Sequence, residues 1–326
     1  MIAIGRFCIL LGILCCLGSP GQAQTLSREE VSNAVVKISD LIRRNYVFEE
    51  RGNRIAAHLT EEDKKGTFHA VKNWSEFATL CTRTLQTYSH DGHLYVRCDA
   101  KTVKELSTSS GPVVESGGED AFFHSKEARE RNFGFEEVKV LSGNIGYLKL
   151  SEINVSAKSL PTLFASVEFI ARTKALILDL RNNGGGGSEI GAVLESMFLP
   201  KKATLLEFRT RTGLSTTAET VPWLTQKKYE NPLFILINKG TASAAEAFTF
   251  ALQANKRATV VGQRSSGAAH MNSWYVVNDS LYVSVSTGAP TLPGTERSWE
   301  GRGIQPDYSV AEGEEIKFVL RKISEK

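Results

Sequence analysis

The chain has 326 residues, enough for one large domain or two modest ones around a substantial core. Hydrophobic residues make up 41% and charged residues 23%, the ordinary balance of a soluble globular protein. A formal net charge of +3, with no long Lys/Arg block, speaks against a dedicated nucleic-acid role.

Residues 1–23 read as a secretory signal. Arg6 supplies a short basic region, FCILLGILCCL is too short to span a bilayer, and the small residues of GSPGQAQ place cleavage near Ala23 or Gln24. The alternatives are a membrane anchor or a buried N-terminal helix. A lipoprotein signal at Cys15 or Cys16 is disfavoured by the size of Ile13 and Leu14. No later segment is long and apolar enough to cross a membrane. The mature protein is therefore expected outside the cytoplasm, periplasmic or extracellular, without stable membrane insertion. Cys8, Cys15 and Cys16 fall in the signal, leaving Cys81 and Cys98 as a pair that closes a disulfide or stays as two buried thiols. The absence of a CxxC pair disfavours zinc of the ribbon or finger type.

Ser27 and Glu30 form a capping box ahead of Val31, Val35, Ile38 and Ile42, which predicts an amphipathic helix. Helical sequence continues to about residue 88, and HLYVRCD reads as a short strand. These elements make an N-terminal helical subdomain over residues 24–100. Residues 101–134 include LSTSSGPVVESGGED and read as an irregular linker. A larger domain over 135–326 follows. FEEVKVL and IGYLKL flank Ser142-Gly143-Asn144 as a hairpin. The buried strands ALILDL, LFILIN and ATVVG then alternate with helices SLPTLFASVEFIA, SEIGAVLESMF and AAEAFTFALQA. That alternation indicates an α/β layer with parallel strands. A second hairpin, SWYVVND and SLYVSVS, precedes a last helix at EEIKFVLRKI. The fold class is α/β to α+β.

Two turns can carry chemistry. LFILIN runs through KGTAS into a helix, placing Ser243 among free helix amides and near the positive end of the helix dipole. That suits a nucleophile, although Ser243 and Glu246 equally fit a capping box. ALILDLRNNGGGG ends in four consecutive glycines, which let a backbone approach a ligand or simply form a flexible connection. Neither the dinucleotide fingerprint nor a P-loop matches. Asp179 and Arg181 read as a structural pair bracing this turn.

In order, DLRNNGGG, KGTASAAEAF, VVGQRSSGAAH and WEGRGIQPD resemble the tail-specific, or carboxyl-terminal-processing, serine peptidases. The likeness runs from about residue 30 to 310 and is greatest to the branch of the interphotoreceptor retinoid-binding protein repeats and the tricorn protease core. It implies a ClpP/crotonase-like spiral of strands and helices, Ser243 as nucleophile, and the amides of Ala244 and Gly185 as oxyanion hole. The lysine of the better-known Ser–Lys branch falls on Ala268 here, so that base is missing, and no segment matches a PDZ module. The tricorn-like branch implies instead His93, from SHDGHLYVR, as base and Glu300, from WEGRGIQPD, behind it. An imidazole titrates near neutrality and a carboxylate fixes its tautomer, so the chemistry is coherent. His90 and His270 are rivals for the base; His58, His69 and His124 read as surface residues, and Asp91 as a capping or turn residue. A Cys81–Cys98 bridge would hold the His93 strand in register. The expected activity is cleavage of a peptide or protein substrate with neither metal nor cofactor. The rival readings are a binding protein for an apolar ligand and an esterase of small acyl groups.

Overall fold

Ser27 caps the first helix as its sequence requires: its hydroxyl accepts the Glu30 amide at 3.1 Å, and the Glu30 carboxylate accepts the Ser27 amide at 2.8 Å. This computed structural model describes residues 26–108, 113–114, 119–213 and 215–325, so the signal reading of residues 1–23 lies outside the described residues. Helix α1 (Arg28–Asn45) buries Val31, Val35, Ile38 and Ile42 along one stripe. It is followed by α2 (Glu49–Lys64), α3 (Trp74–Ser89) and β1 (Tyr95–Cys98).

The stretch expected to be an irregular linker holds α4 (Ala100–Thr108), β2 (Val113–Val114), α5 (Glu119–His124) and α6 (Lys126–Glu130). Val103 and Leu106 explain α4: three residues apart, they share one face and are buried with Tyr282. The Ser/Gly-rich composition had masked that pair.

Next come the predicted hairpin, β3 (Phe135–Leu141) with β4 (Ile145–Leu150), then β5 (Ile153–Val155), α7 (Leu160–Ile170) and β6 (Ala175–Asp179). The predicted helix SEIGAVLESMF shrinks to α8 (Val193–Ser196). Before it, β7 (Gly186–Ser188) pairs in parallel with β5, and Gly191 turns at φ 82°. A hairpin without a clear sequence signal follows, β8 (Thr204–Thr210) and β9 (Ser215–Glu219). The remaining elements are β10 (Leu233–Ile237), α9 (Ala244–Ala254), β11 (Ala258–Gly262), β12 (Met271–Val276), β13 (Leu281–Thr291), β14 (Tyr308–Ser309) and α10 (Glu315–Ser324).

One sheet has the order β14-β11-β10-β6-β4-β3, all neighbours parallel except the β3–β4 pair. Its central strands are buried on both faces, which is why they read as continuous apolar runs. Leu176, Leu178, Leu233 and Ile235 pack with Val167 of α7 and Phe248 of α9. Their alternates Ala175, Ile177, Phe234 and Leu236 pack with Val319 of α10. Each such side chain contributes about 1.5–3 kcal/mol of burial.

The second sheet runs β2-β12-β13-β8-β9, with β1 also paired to β13. Leu281, Val283 and Val285 of β13 share a core with the apolar stripes of the N-terminal helices. The helical region therefore has no private core, and its packing continues across residue 100.

The proposed Cys81–Cys98 bridge is not formed: both are free thiols, Cys81 buried and Cys98 exposed. Helix α3 meets β1 through Thr82, whose hydroxyl donates to the Val96 carbonyl at 3.0 Å and accepts its amide at 2.9 Å. Cys81 lies about 100° further round the helix, in the inner core, where burial pushes its thiol well above the usual range. Alkylation with iodoacetamide and peptide mapping is expected to mark Cys98 in the native protein and Cys81 only after denaturation. Protection of both until a reductant is added would restore the bridge.

Candidate active site

The turn after β10 is laced to the turn after β6. Asn238 Oδ1 accepts the Gly240 amide at 3.0 Å and the Asn182 amide at 2.9 Å. Thr241 Oγ1 donates to the Leu180 carbonyl at 2.8 Å, and the Ala242 amide donates to the Asn183 carbonyl at 2.9 Å. Both turns leave the C-terminal ends of adjacent parallel strands, the place where open α/β sheets bind ligands. Arg181 braces this end from beneath, as expected of a structural pair. Its Nε donates to Asp179 Oδ1 at 2.9 Å, and one terminal nitrogen donates to Glu315 at the start of α10 at 2.8 Å.

Ser243 is the N-cap of α9 at φ 52° and ψ −122°. Only glycine adopts this region without steric cost, so the serine stores strain of about 1–3 kcal/mol. The glycine turn packs directly on it: a Cβ at Gly185 would lie 2.7 Å from Ser243 Cβ and 3.1 Å from the Ala244 nitrogen. The Gly185 amide, which the resemblance implies as an oxyanion donor, is engaged within its own turn in this arrangement. It is spent on Asn183 Oδ1 at 2.9 Å, because the Asn183 side chain folds back over the turn. Gly185 serves the site by its missing side chain. Ala244 carries the first amide of α9, which has no partner within the helix.

Glu246, on the first turn of α9, is buried and gathers four donors. Its Oε2 accepts the amides of Ser243 at 3.0 Å and Ala268 at 2.9 Å. Its Oε1 accepts the Ser265 hydroxyl at 2.5 Å and the Gly267 amide at 2.7 Å. Burial pushes its carboxyl above the usual range, and the four donors pull against that. The carboxylate half of the predicted capping box is thus present, but it reaches well beyond its own helix.

Glu300 grips the next two peptides of the same loop: its Oε2 accepts the amides of Ala269 at 2.7 Å and His270 at 3.0 Å. Its Oε1 is buried without a hydrogen-bond partner, 3.7 Å from His270 Nδ1. Burial raises the Glu300 carboxyl, against the pull of His270. His270 Nδ1 lies 2.9 Å from Asp91 Oδ2, and the Tyr46 hydroxyl donates to that same oxygen at 2.7 Å. Burial works to raise the Asp91 carboxyl, but His270 and Tyr46 hold it well below the usual range. Asp91, His270 and Glu300 bring one ligand-type atom each within 4.8 Å of one another, an acid–base cluster whose chemistry would also suit a cation.

His93 joins this cluster through its backbone, its amide donating to Asp91 Oδ1 at 3.0 Å. Its ring Nδ1 is buried without a partner, and burial lowers its pKa below 6.5. Among the described residues no hydrogen bond or ion pair joins Ser243, His93 and Glu300 directly; they communicate through Glu246, the 265–270 loop, His270 and Asp91. His90 is exposed and ends α3 at φ 53°. Of the histidines expected at the surface, His69 is exposed, His58 stacks on Tyr88 at 4.0 Å, and His124 pairs with Glu189 at 2.7 Å. Sequence reasoning gave Asp91 only a turn and gave Tyr46 nothing. An aspartate between two histidines in SHDGH was the available signal for the first; the second had none.

Residues 144–310 match the family described as Peptidase family S41, and residues 23–122 match the N-terminal domain of Peptidase S41 in eukaryotic IRBP. The chain belongs to peptidase family S41. A carboxyl-terminal-processing protease of Synechocystis sp. is 32% identical over 168 residues, covering 51% of this chain and 38% of that protein. The chain thus spans well under half the length of that relative. The structure of the photosystem II D1 C-terminal processing protease is similar at a TM-score of 0.53 and 14% identity, covering 89% of this chain and 96% of that one. The tricorn protease is similar at 0.58 and 13%, covering 91% and 37%. These likenesses show a shared fold, a mixed α/β layer with an N-terminal helical region.

Replacing Ser243 with glycine is expected to raise unfolding stability by about 1 kcal/mol by releasing the φ 52° strain, whereas alanine leaves it unchanged or lower. Urea denaturation of the two variants checks this. Glu246→Gln turns an amide NH₂ toward two of its four donors and is expected to cost about 3–5 kcal/mol, read as a fall in thermal midpoint.

Proposed function

We propose that this chain is a serine peptidase that cleaves peptide bonds through an acyl-enzyme on Ser243. The observation that carries the reading is Ser243 itself: a strained non-glycine residue at a strand–turn–helix junction, its amide fixed by Glu246 and its Cβ facing a glycine backbone. Strain of this kind persists where function requires it, as in nucleophile elbows. Membership of family S41 supports the same chemistry.

In the proposed reaction a histidine takes the Ser243 Oγ proton as Oγ attacks the peptide carbonyl carbon. The oxyanion is held by the Ala244 amide at the positive end of α9. The histidine returns the proton to the leaving amine, and water then hydrolyses the acyl-enzyme. His93 is the base favoured by the family pattern. Burial of its ring disfavours the charged form and so favours the neutral imidazole that can take a proton. One observation supports His270 as an alternative: with Nδ1 committed to Asp91 at 2.9 Å, its Nε2 is left as the basic nitrogen, the arrangement of an oriented catalytic imidazole. We place the reaction outside the cytoplasm, on the strength of the signal-like residues 1–23.

A fluorophosphonate probe is expected to label the native protein and not the Ser243→Ala variant; unchanged labelling of that variant would remove Ser243 as nucleophile. With His93 as base, labelling should fall as pH drops, and at a lower pH than an ordinary imidazole would give, because its burial disfavours the protonated form. The histidine whose alanine variant loses at least about a hundredfold in labelling rate, together with this acid limb, is the base. The other variant should keep the limb.

A further inference from the structure

A cleft of about 1000 Å³ lies between the C-terminal half of α9 and the loop running from Glu296 to Gln305. Its apolar part includes Phe250 and Trp299, whose ring centroids are 4.8 Å apart. A second cavity of about 340 Å³ opens on the other side of the same loop, toward His270, and Glu296, Ser298, Glu300 and Arg302 line both. The wall that carries Glu300 therefore lies between two recesses, the larger one at the end of α9 opposite Ser243.

The charges of the larger cleft are unevenly committed. Its three acidic groups already have partners: Glu296 is paired with Arg209 at 2.8 Å, Asp307 accepts the Val260 amide at 2.7 Å, and Glu300 accepts two loop amides. Of its four basic groups, Arg264 donates to Gln305 and to the Arg302 carbonyl, while Lys256, Arg297 and Arg302 make no ion pair among the described residues. Three buried polar atoms in the same wall are unpartnered, Ser298 Oγ, Trp299 Nε1 and Glu300 Oε1, and Trp299 is only 2% exposed. Indole nitrogen donates only, and an unmade buried donor costs about 1–3 kcal/mol. The side-chain charges left without an ion pair are thus cations, in a space far larger than a single inorganic anion needs.

We propose that this cleft binds an acidic peptide segment, its Asp or Glu carboxylates meeting Lys256, Arg297 and Arg302. The segment's apolar atoms lie on Phe250, which Trp299 backs from the core. This rests on the peptidase reading for the ligand being a peptide, and it adds the substrate class: chains with an acidic stretch held at a distance from the scissile bond.

Fluorescence anisotropy with labelled hexaglutamate and hexaglutamine, using full-length Ser243→Ala so that neither peptide is cut, tests it. Hexaglutamate is expected to bind saturably, more weakly as salt screens the charges, and hexaglutamine at least about tenfold more weakly. The double variant Lys256→Glu/Arg297→Glu should lose at least about tenfold in hexaglutamate affinity. If that variant melts early, the neutral pair Lys256→Gln/Arg297→Gln replaces it. Equal binding of the two peptides, or affinity untouched by the charge changes, would overturn the proposal. Displacement of hexaglutamate by equimolar inorganic phosphate would also overturn it, making the cleft a phosphate site. Fluorophosphonate labelling of native Ser243 does not depend on this cleft, so the two readings fail separately.

Discussion

The buried carboxylate of Glu246 is the interaction on which the rest of the site depends. Taking an ionised carboxylate out of water costs several kcal/mol, and only well-aimed donors offset it. Here three amides and a hydroxyl converge on it, from Ser243, Ser265, Gly267 and Ala268. One side chain thereby fixes the N-cap at its strained φ, closes the first turn of α9 and docks a loop that begins twenty residues later. The strain at Ser243 is sustainable because this convergence over-determines the backbone around it.

The same loop shows how two carboxylates divide one strip of backbone. Glu246 takes the amides of residues 267 and 268, and Glu300 takes those of 269 and 270. Ala268 puts only a methyl group in this strip, so the loop meets both carboxylates through its peptides, and its titratable side chain is His270. That imidazole sits between Asp91 and Glu300, where burial raises the one carboxyl and paired donors lower the other. Neighbouring carboxylates pushed in opposite directions can carry different protonation states in one pocket.

Much of the fold was legible in the sequence because its central strands are buried on both faces. ALILD and LFILI allow no half-exposed alternative, and AAEAFTFALQA is bounded by a turn on one side and Asn255 on the other. The hairpin of β8 and β9 was not legible, since TLLEFRT and STTAE mix apolar and polar residues on a half-exposed strand and its edge neighbour. The helix read into SEIGAVLESMF failed because the glycines before it pair as a strand and Gly191 turns left-handed. At the site, Ser243, His93 and Glu300 were named from local motifs, but which carboxylate meets which imidazole is decided by long-range packing. Asp91 and His270 are 179 residues apart, and no spacing rule connects them.

That contact also changes what the N-terminal helices are for. Tyr46 at the end of α1 donates to Asp91, the Val47 amide donates to the Ser286 carbonyl at 2.8 Å, and Arg211 donates to the Tyr46 carbonyl at 3.0 Å. The first bond joins the end of α1 to the turn between α3 and β1, the second reaches β13 and the third the β8–β9 turn, over a core that α1, α2, α3 and β13 share. A region that lacks its own core cannot be a freely moving appendage, because separating it would expose that shared apolar surface. The position of Asp91, and with it the orientation of His270, is therefore set by the same burial that stabilises the second sheet. Substitutions in α1 far from Ser243 can reach the chemistry only through this route, by shifting the carboxylate that holds the imidazole.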